Sequence, residues 1–139
     1  MNRETVIILD NGHGIETPGK KSPVWADGSQ LYECEFNRSI VRKIANMLGR
    51  DGIKFKILVQ EETDITLQER CRRANEISNR NGGNAVLFSV HGNAGGGTGW
   101  ECFTSVGDTL ADEIATELCK QAEKEFSPEG WKMRFDYTD

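Results

Sequence analysis

The stretch Val6-Ile7-Ile8-Leu9-Asp10-Asn11-Gly12-His13-Gly14 decides the fold. Its first four residues are apolar without a break and mostly β-branched, the pattern of a strand covered on both faces. The polar and glycine residues that follow turn the chain sharply. The same pattern recurs at Ala85-Val86-Leu87-Phe88-Ser89-Val90, a second buried run that leads into His91-Gly92-Asn93. Gly14 to Gln30 reads as a long loop, of the kind that in compact domains often carries function. A helix is predicted from Glu33 to about Gly49, with Phe36, Ile40, Ile44 and Met47 or Leu48 at helical spacing and Gly49 and Gly52 at its end. Phe55, Ile57 and Val59 alternate with Lys56 and Leu58 as a strand. Thr66-Leu67-Gln68-Glu69 has the form of a capping box and opens a second helix, with Leu67, Cys71, Ala74 and Ile77 or Ser78 as its inner stripe. Past His91, Gly95-Gly96-Gly97 is a flexible loop and Trp100–Thr104 a fourth strand. Leu110, Ile114, Leu118 and Ala122 mark a third helix up to Phe126, and Trp131–Tyr137 begins another strand. Strands alternating with helices predict an α/β fold with a mostly parallel sheet sandwiched by helices.

The chain has 139 residues, the size of a single domain, here 1–139. With 37% hydrophobic and 28% charged residues it is globular in composition, not disordered. No apolar run reaches 18 residues, so no membrane span is expected. The short apolar run after Met1-Asn2-Arg3-Glu4 is too brief for the core of a signal peptide. A net charge of −5 disfavours a nucleic-acid partner. The four cysteines, Cys34, Cys71, Cys102 and Cys119, are widely spaced, so a zinc ribbon is not expected and buried free thiols are.

Both of the chain's histidines, His13 and His91, directly follow an apolar strand and are flanked by glycine. In open α/β sheets the site lies beyond the carboxyl ends of the strands. Neutral imidazole is a good zinc ligand, so two histidines from different strand ends suit one ion. A catalytic zinc usually takes a third protein ligand and keeps one position open. Glu33, Glu35, Asp10, Asp27 and Glu101 are the carboxylates in reach of that role. Glu33 and Glu35 project about 200° apart around a helix, so only one can face a given ion, and Asn37 shares the face of Glu33. Asp10 and Asn93 are candidate partners for the second nitrogen of a ligating histidine. Lys20, Lys21, Ser22, Pro23 and Trp25 could line a substrate groove, and Trp25 and Trp100 offer apolar contact to a sugar or peptide.

Several of these stretches together resemble the N-acetylmuramoyl-L-alanine amidases of the amidase-3 type. Ile8–Gly14 resembles the family's opening strand and first zinc histidine. Glu33-Cys34-Glu35-Phe36-Asn37 resembles its Glu-x-x-x-Asn pattern, whose glutamate binds zinc. Arg70-Cys71-Arg72-Arg73-Ala74-Asn75 resembles the pattern on its second helix. Ser89-Val90-His91-Gly92-Asn93-Ala94 resembles the strand end with the second zinc histidine, and Gly99-Trp100-Glu101 the strand that follows. The resemblance runs from about Val6 to Phe126. It implies Zn2+ held by His13, Glu33 and His91, with Asp10, Asn37 and Asn93 around the site. It also implies peptidoglycan as the substrate and hydrolysis of the amide between muramic acid and L-alanine. Such a protein acts at the cell wall, reached from the cytoplasm on release or by another route of secretion.

The sequence departs from the family in one respect. The family's catalytic glutamate lies in a late strand of the form Val-Leu-x-Glu-x-Gly-Phe, and no such segment occurs before Asp139. This predicts a C-terminally truncated domain whose site binds metal and hydrolyses poorly, with Glu101 as the one substitute base. Two other readings compete: a zinc-containing module that grips peptidoglycan without turnover, and a carboxypeptidase-like zinc hydrolase that cuts between amino acids.

Overall fold

In the computed structural model, which describes residues 4–93 and 99–130 apart from the side chain of Glu129, strand β1 (Val6–Asn11) is the middle of a three-stranded parallel sheet. On one side it pairs with β2 (Phe55–Ile57), Ile7 opposite Phe55. On the other it pairs with β3 (Ala85–Val90) along its whole length, from Val6 opposite Ala85 to Asn11 opposite Val90. Parallel neighbours need crossover connections, supplied by helices α1 (Glu33–Arg50) and α2 (Leu67–Arg80). Alternate residues of β1 point to opposite faces. Ile8 packs with Leu58, Val59 and Ala74 on the α2 side, and Leu9 with Val41 and Ala45 on the α1 side. The sheet is therefore sandwiched between helices, as the alternation of elements predicts.

The chain packs as two compact units, Met1–Gly92 and Asn93–Asp139. The second holds helix α3 (Leu110–Phe126), followed by a 3-10 turn at Ser127–Glu129. Helix α3 opens on a capping box of Thr109 and Asp112. Ala94, the Gly95–Gly97 loop and the strand expected at Trp131–Tyr137 lie outside the described residues.

Several local expectations are corrected. The inner stripe of α1 is Cys34, Asn37, Val41 and Ala45, while Phe36 and Met47 are exposed. The helix is rotated by a polar contact, because the buried Asn37 amide donates to the Gly12 carbonyl at 3.0 Å. On α2 the inward residues are Arg70 and Ala74, whereas Leu67 and Cys71 face solvent. Here Arg70 is drawn inward by Asp10 and by the carbonyls of Asn11 and Ile65. Thr66 does cap α2, accepting from the Glu69 N–H, but the Glu69 carboxylate turns to Arg72 and Arg73. Strand β3 is only half-buried, since among the described residues it forms an edge of the sheet. Residues 101–105 form no strand, because a strand exists only by pairing and no described segment pairs with them as a ladder. All four cysteines are free, but only Cys34 is buried. In the second unit Cys102 and Cys119 lie side by side, and burial together with that neighbour pushes the Cys102 thiol up to about 12.

Candidate metal centre

The parallel register brings the carboxyl ends of β1 and β3 level, and the Gly12 N–H extends the pairing to the Val90 carbonyl at 3.2 Å. His13 and His91 thus leave adjacent strands at the same edge. His13 adopts a left-handed backbone with φ 67°, which is rare for a residue with a Cβ and concentrates at functional sites. Gly12 makes room for the second ring, since a Cβ there would come within 2.1 Å of His91 Cε1. The two rings meet edge to face with centroids 4.7 Å apart.

The loop after Gly14 returns as an irregular arm in which Lys21 bridges to Tyr32. The Glu33 N–H then donates to the Lys20 carbonyl at 3.0 Å, which places Glu33 at the first residue of α1, beside the histidines. Its Oε1 lies 3.2 Å from His13 Nε2 and 3.3 Å from His91 Nδ1, and the two nitrogens are 3.1 Å apart. These atoms form a nearly equilateral triangle. Four-coordinate zinc with bonds of about 2.0–2.1 Å separates its ligand atoms by about 3.3–3.4 Å. The donor set and its spacing therefore fit a zinc ion without rearrangement of the backbone.

The electrostatics suit a cation. Burial pushes the Glu33 carboxyl up, but His13, the Gly92 N–H, Lys20 and His91 outweigh it and hold Glu33 below its ordinary value. Burial lowers His13, with Lys20 and His91 adding to the effect and Glu33 opposing it, so the ring favours its neutral, ligating form. The Gly92 N–H donates to Glu33 Oε1 at 3.1 Å, while Oε2 faces the Lys20 ammonium at 3.7 Å. The His91 side chain is 43% exposed against 12% for Glu33, so the group opens to solvent on the His91 side.

The other sequence candidates fall elsewhere. Glu35 lines a groove of about 480 Å³ with Ile15, Cys34, Arg38, Arg42 and Glu62, on a different side of α1 from Glu33. Asp27 caps its own turn, accepting from the Ser29 N–H and hydroxyl. Asn37 fastens α1 to the end of β1 through the Gly12 carbonyl. Asp10 is buried on Arg70 and Ser89. In the second unit the Asn93 amide donates to the Glu101 carboxylate. Trp25 is half-exposed on the arm. Sequence reasoning assigned no role to Ser89, which touches both Asp10 and His91. The available signal was its position two residues before His91, which places both on one side of an extended chain.

Comparison with known proteins identifies the family. A family model described as N-acetylmuramoyl-L-alanine amidase matches residues 7–133. The sporulation-specific N-acetylmuramoyl-L-alanine amidase of Bacillus subtilis (strain 168) is 30% identical over 99 residues, which is 70% of this chain. The matched segment spans about a third (34%) of that curated relative. The catalytic domain of CwlV, an N-acetylmuramoyl-L-alanine amidase from Bacillus (Paenibacillus) polymyxa var. colistinus, shares the fold with a TM-score of 0.62 at 20% identity. That match covers 96% of this chain and 71% of the CwlV chain.

Proposed function

The chain belongs to the N-acetylmuramoyl-L-alanine amidase family, and from that premise we propose that it hydrolyses the amide between the lactyl group of N-acetylmuramic acid and L-alanine in peptidoglycan, using zinc held by His13, Glu33 and His91. The observation that carries the proposal is the triangle of ligand atoms with sides of 3.1–3.3 Å. Zinc, when bound, polarises an amide carbonyl and makes water a nucleophile near neutral pH.

The chain's own residues prepare for this. Glu33 contributes one negative charge through Oε1, fixed by the Gly92 N–H, while Lys20 engages Oε2 and favours one-oxygen ligation. With two imidazoles and one carboxylate as donors, the group would leave a bound divalent ion a net positive charge. The exposed edge at His91 leaves the site open enough to meet a polymer at the cell wall. In the overall reaction, water adds across the amide and the C–N bond breaks, giving a lactyl carboxylate and the free amine of L-alanine. The departing amine takes up a proton from a general acid. Glu101 is the candidate for that transfer offered by the sequence.

The test is digestion of purified bacterial peptidoglycan with zinc-supplemented protein and with a chelator-treated control. New L-alanine amino termini, dependent on the metal, are expected. Release of single C-terminal amino acids instead would identify a carboxypeptidase-like hydrolase. Zinc-dependent sedimentation with the polymer, without new amino termini, would identify a binding module.

A further inference from the structure

The imidazole of His91 is bonded on both nitrogens, and the two bonds compete for one proton. Nδ1 faces His13 Nε2 at 3.1 Å and Glu33 Oε1 at 3.3 Å, the side on which an ion would sit. Nε2 lies 3.1 Å from Ser89 Oγ. A neutral imidazole carries its hydrogen on one nitrogen only, and only the bare nitrogen ligates a metal. Left alone with the Glu33 carboxylate, the hydrogen would be drawn to Nδ1, the nitrogen that must be bare.

The hydrogen-bond inventory decides where the hydrogen goes. Asp10 is 6% exposed and accepts on Oδ1 from Arg70, whose guanidinium also donates to the carbonyls of Ile65 and Asn11 and to Asp64. So paired with a guanidinium, Asp10 serves here as an acceptor. Its Oδ2 lies 2.7 Å from Ser89 Oγ, so the single hydroxyl hydrogen of Ser89 goes to Asp10. The Ser89 oxygen then has only lone pairs to offer His91, and Nε2 must carry the ring hydrogen.

We propose that Ser89 is a positioning residue: the relay from Arg70 through Asp10 and Ser89 holds His91 in the Nε2–H tautomer and keeps Nδ1 bare for the metal, against the pull of Glu33. The inference rests on reading His13, Glu33 and His91 as metal ligands, but its first readout needs no metal.

The experiment follows ring nitrogens in uniformly labelled, metal-free protein by long-range proton–nitrogen correlation, which distinguishes the two tautomers. With only two histidines in the chain the spectrum contains two ring systems. Wild-type His91 is expected as the Nε2–H form. Ser89 is an exposed residue, so Ser89→Ala is expected to fold, to move the hydrogen to Nδ1, and to weaken zinc binding by about 10–100-fold, the usual cost of losing an outer partner of a ligand. Ser89→Thr keeps the hydroxyl and is expected to restore both. An Nδ1–H tautomer in the wild type would overturn the proposal, as would Ser89→Ala with unchanged tautomer, whether or not its zinc affinity fell. Failure of the wild type to bind zinc would instead overturn the reading of the triad, while the tautomer measurement would still judge the relay.

Discussion

Gly12→Ala isolates the metal centre from the fold. A Cβ at this position falls 2.1 Å from Cε1, 2.5 Å from Nε2 and 2.6 Å from Nδ1 of His91. Carbon atoms in contact settle at about 3.5–4.0 Å, so the ring must retreat by about 1.4 Å or more. Metal sites tolerate about 0.2 Å in ligand distance, so His91 would cease to be a ligand. The backbone has no reason to object: Gly12 is not left-handed, and its N–H bond to the Val90 carbonyl does not involve the added methyl. The half-exposed His91 ring can swing into solvent. Zinc affinity, measured by competition with a chromophoric chelator, should fall by more than the ~10–100-fold typical of a lost outer partner. The urea midpoint of the metal-free protein should stay close to that of the wild type. Gly14→Ala gives the opposite signature, because its Cβ would meet the backbone nitrogen of Asp64 at 2.1 Å and backbone cannot step aside. Gly12→Ala with wild-type zinc affinity would refute this placement of His91.

Glu33→Ala should abolish tight zinc binding, since it leaves two ligands, whereas Glu35→Ala on another side of α1 should change it little; equal losses would contradict the assignment of Glu33. Arg70→Ala strands the buried Asp10 carboxylate and should cost about 3–5 kcal/mol in urea unfolding, and a change under about 1 kcal/mol would mean the pair is dispensable. In metal-free protein His13 is held below its ordinary 6.5, so the unfolded chain binds the proton more readily, and stability should rise with pH up to about 6.5 and then level. Glu33, held below its ordinary 4.5, adds stability that is lost as pH falls through its folded value. Urea midpoints between pH 5 and 8 should show the rise in wild type and a weaker one in His13→Gln. Gly49→Ala, whose Cβ would meet Phe55 at an ordinary 3.6 Å inside α1, should stabilise by about 0.5–1 kcal/mol and leave zinc affinity alone.

What the sequence made legible was whatever depends on local pattern. The run at Val6–Leu9 is a central, covered strand because it is apolar on both faces, and Ala85–Val90, of like pattern, pairs beside it. The choice between Glu33 and Glu35 was open to helical geometry only as a statement that one of them faces the ion; the family resemblance selected Glu33, and Glu33 is the one that stands beside both histidines. What local pattern misses are bonds between distant residues. Arg70 lies outside the inner stripe that periodicity gives α2, yet it meets Asp10, 60 positions earlier, and turns the helix so that Leu67 and Cys71 face out. Asn37 rotates α1 in the same manner through the Gly12 carbonyl. Asp10, a candidate histidine partner by sequence, meets Ser89, which in turn meets His91. The strand expected at Trp100–Thr104 forms no ladder with any described segment, which the local sequence by itself does not reveal.

X-ray absorption at the zinc edge of the loaded protein tests the metal centre most directly. The account predicts one zinc per chain with two imidazole nitrogens at about 2.0–2.1 Å and the remaining ligands oxygen, one imidazole being lost in His91→Ala. A sulfur neighbour at about 2.3 Å would place the metal on a cysteine instead and contradict the site built from His13, Glu33 and His91.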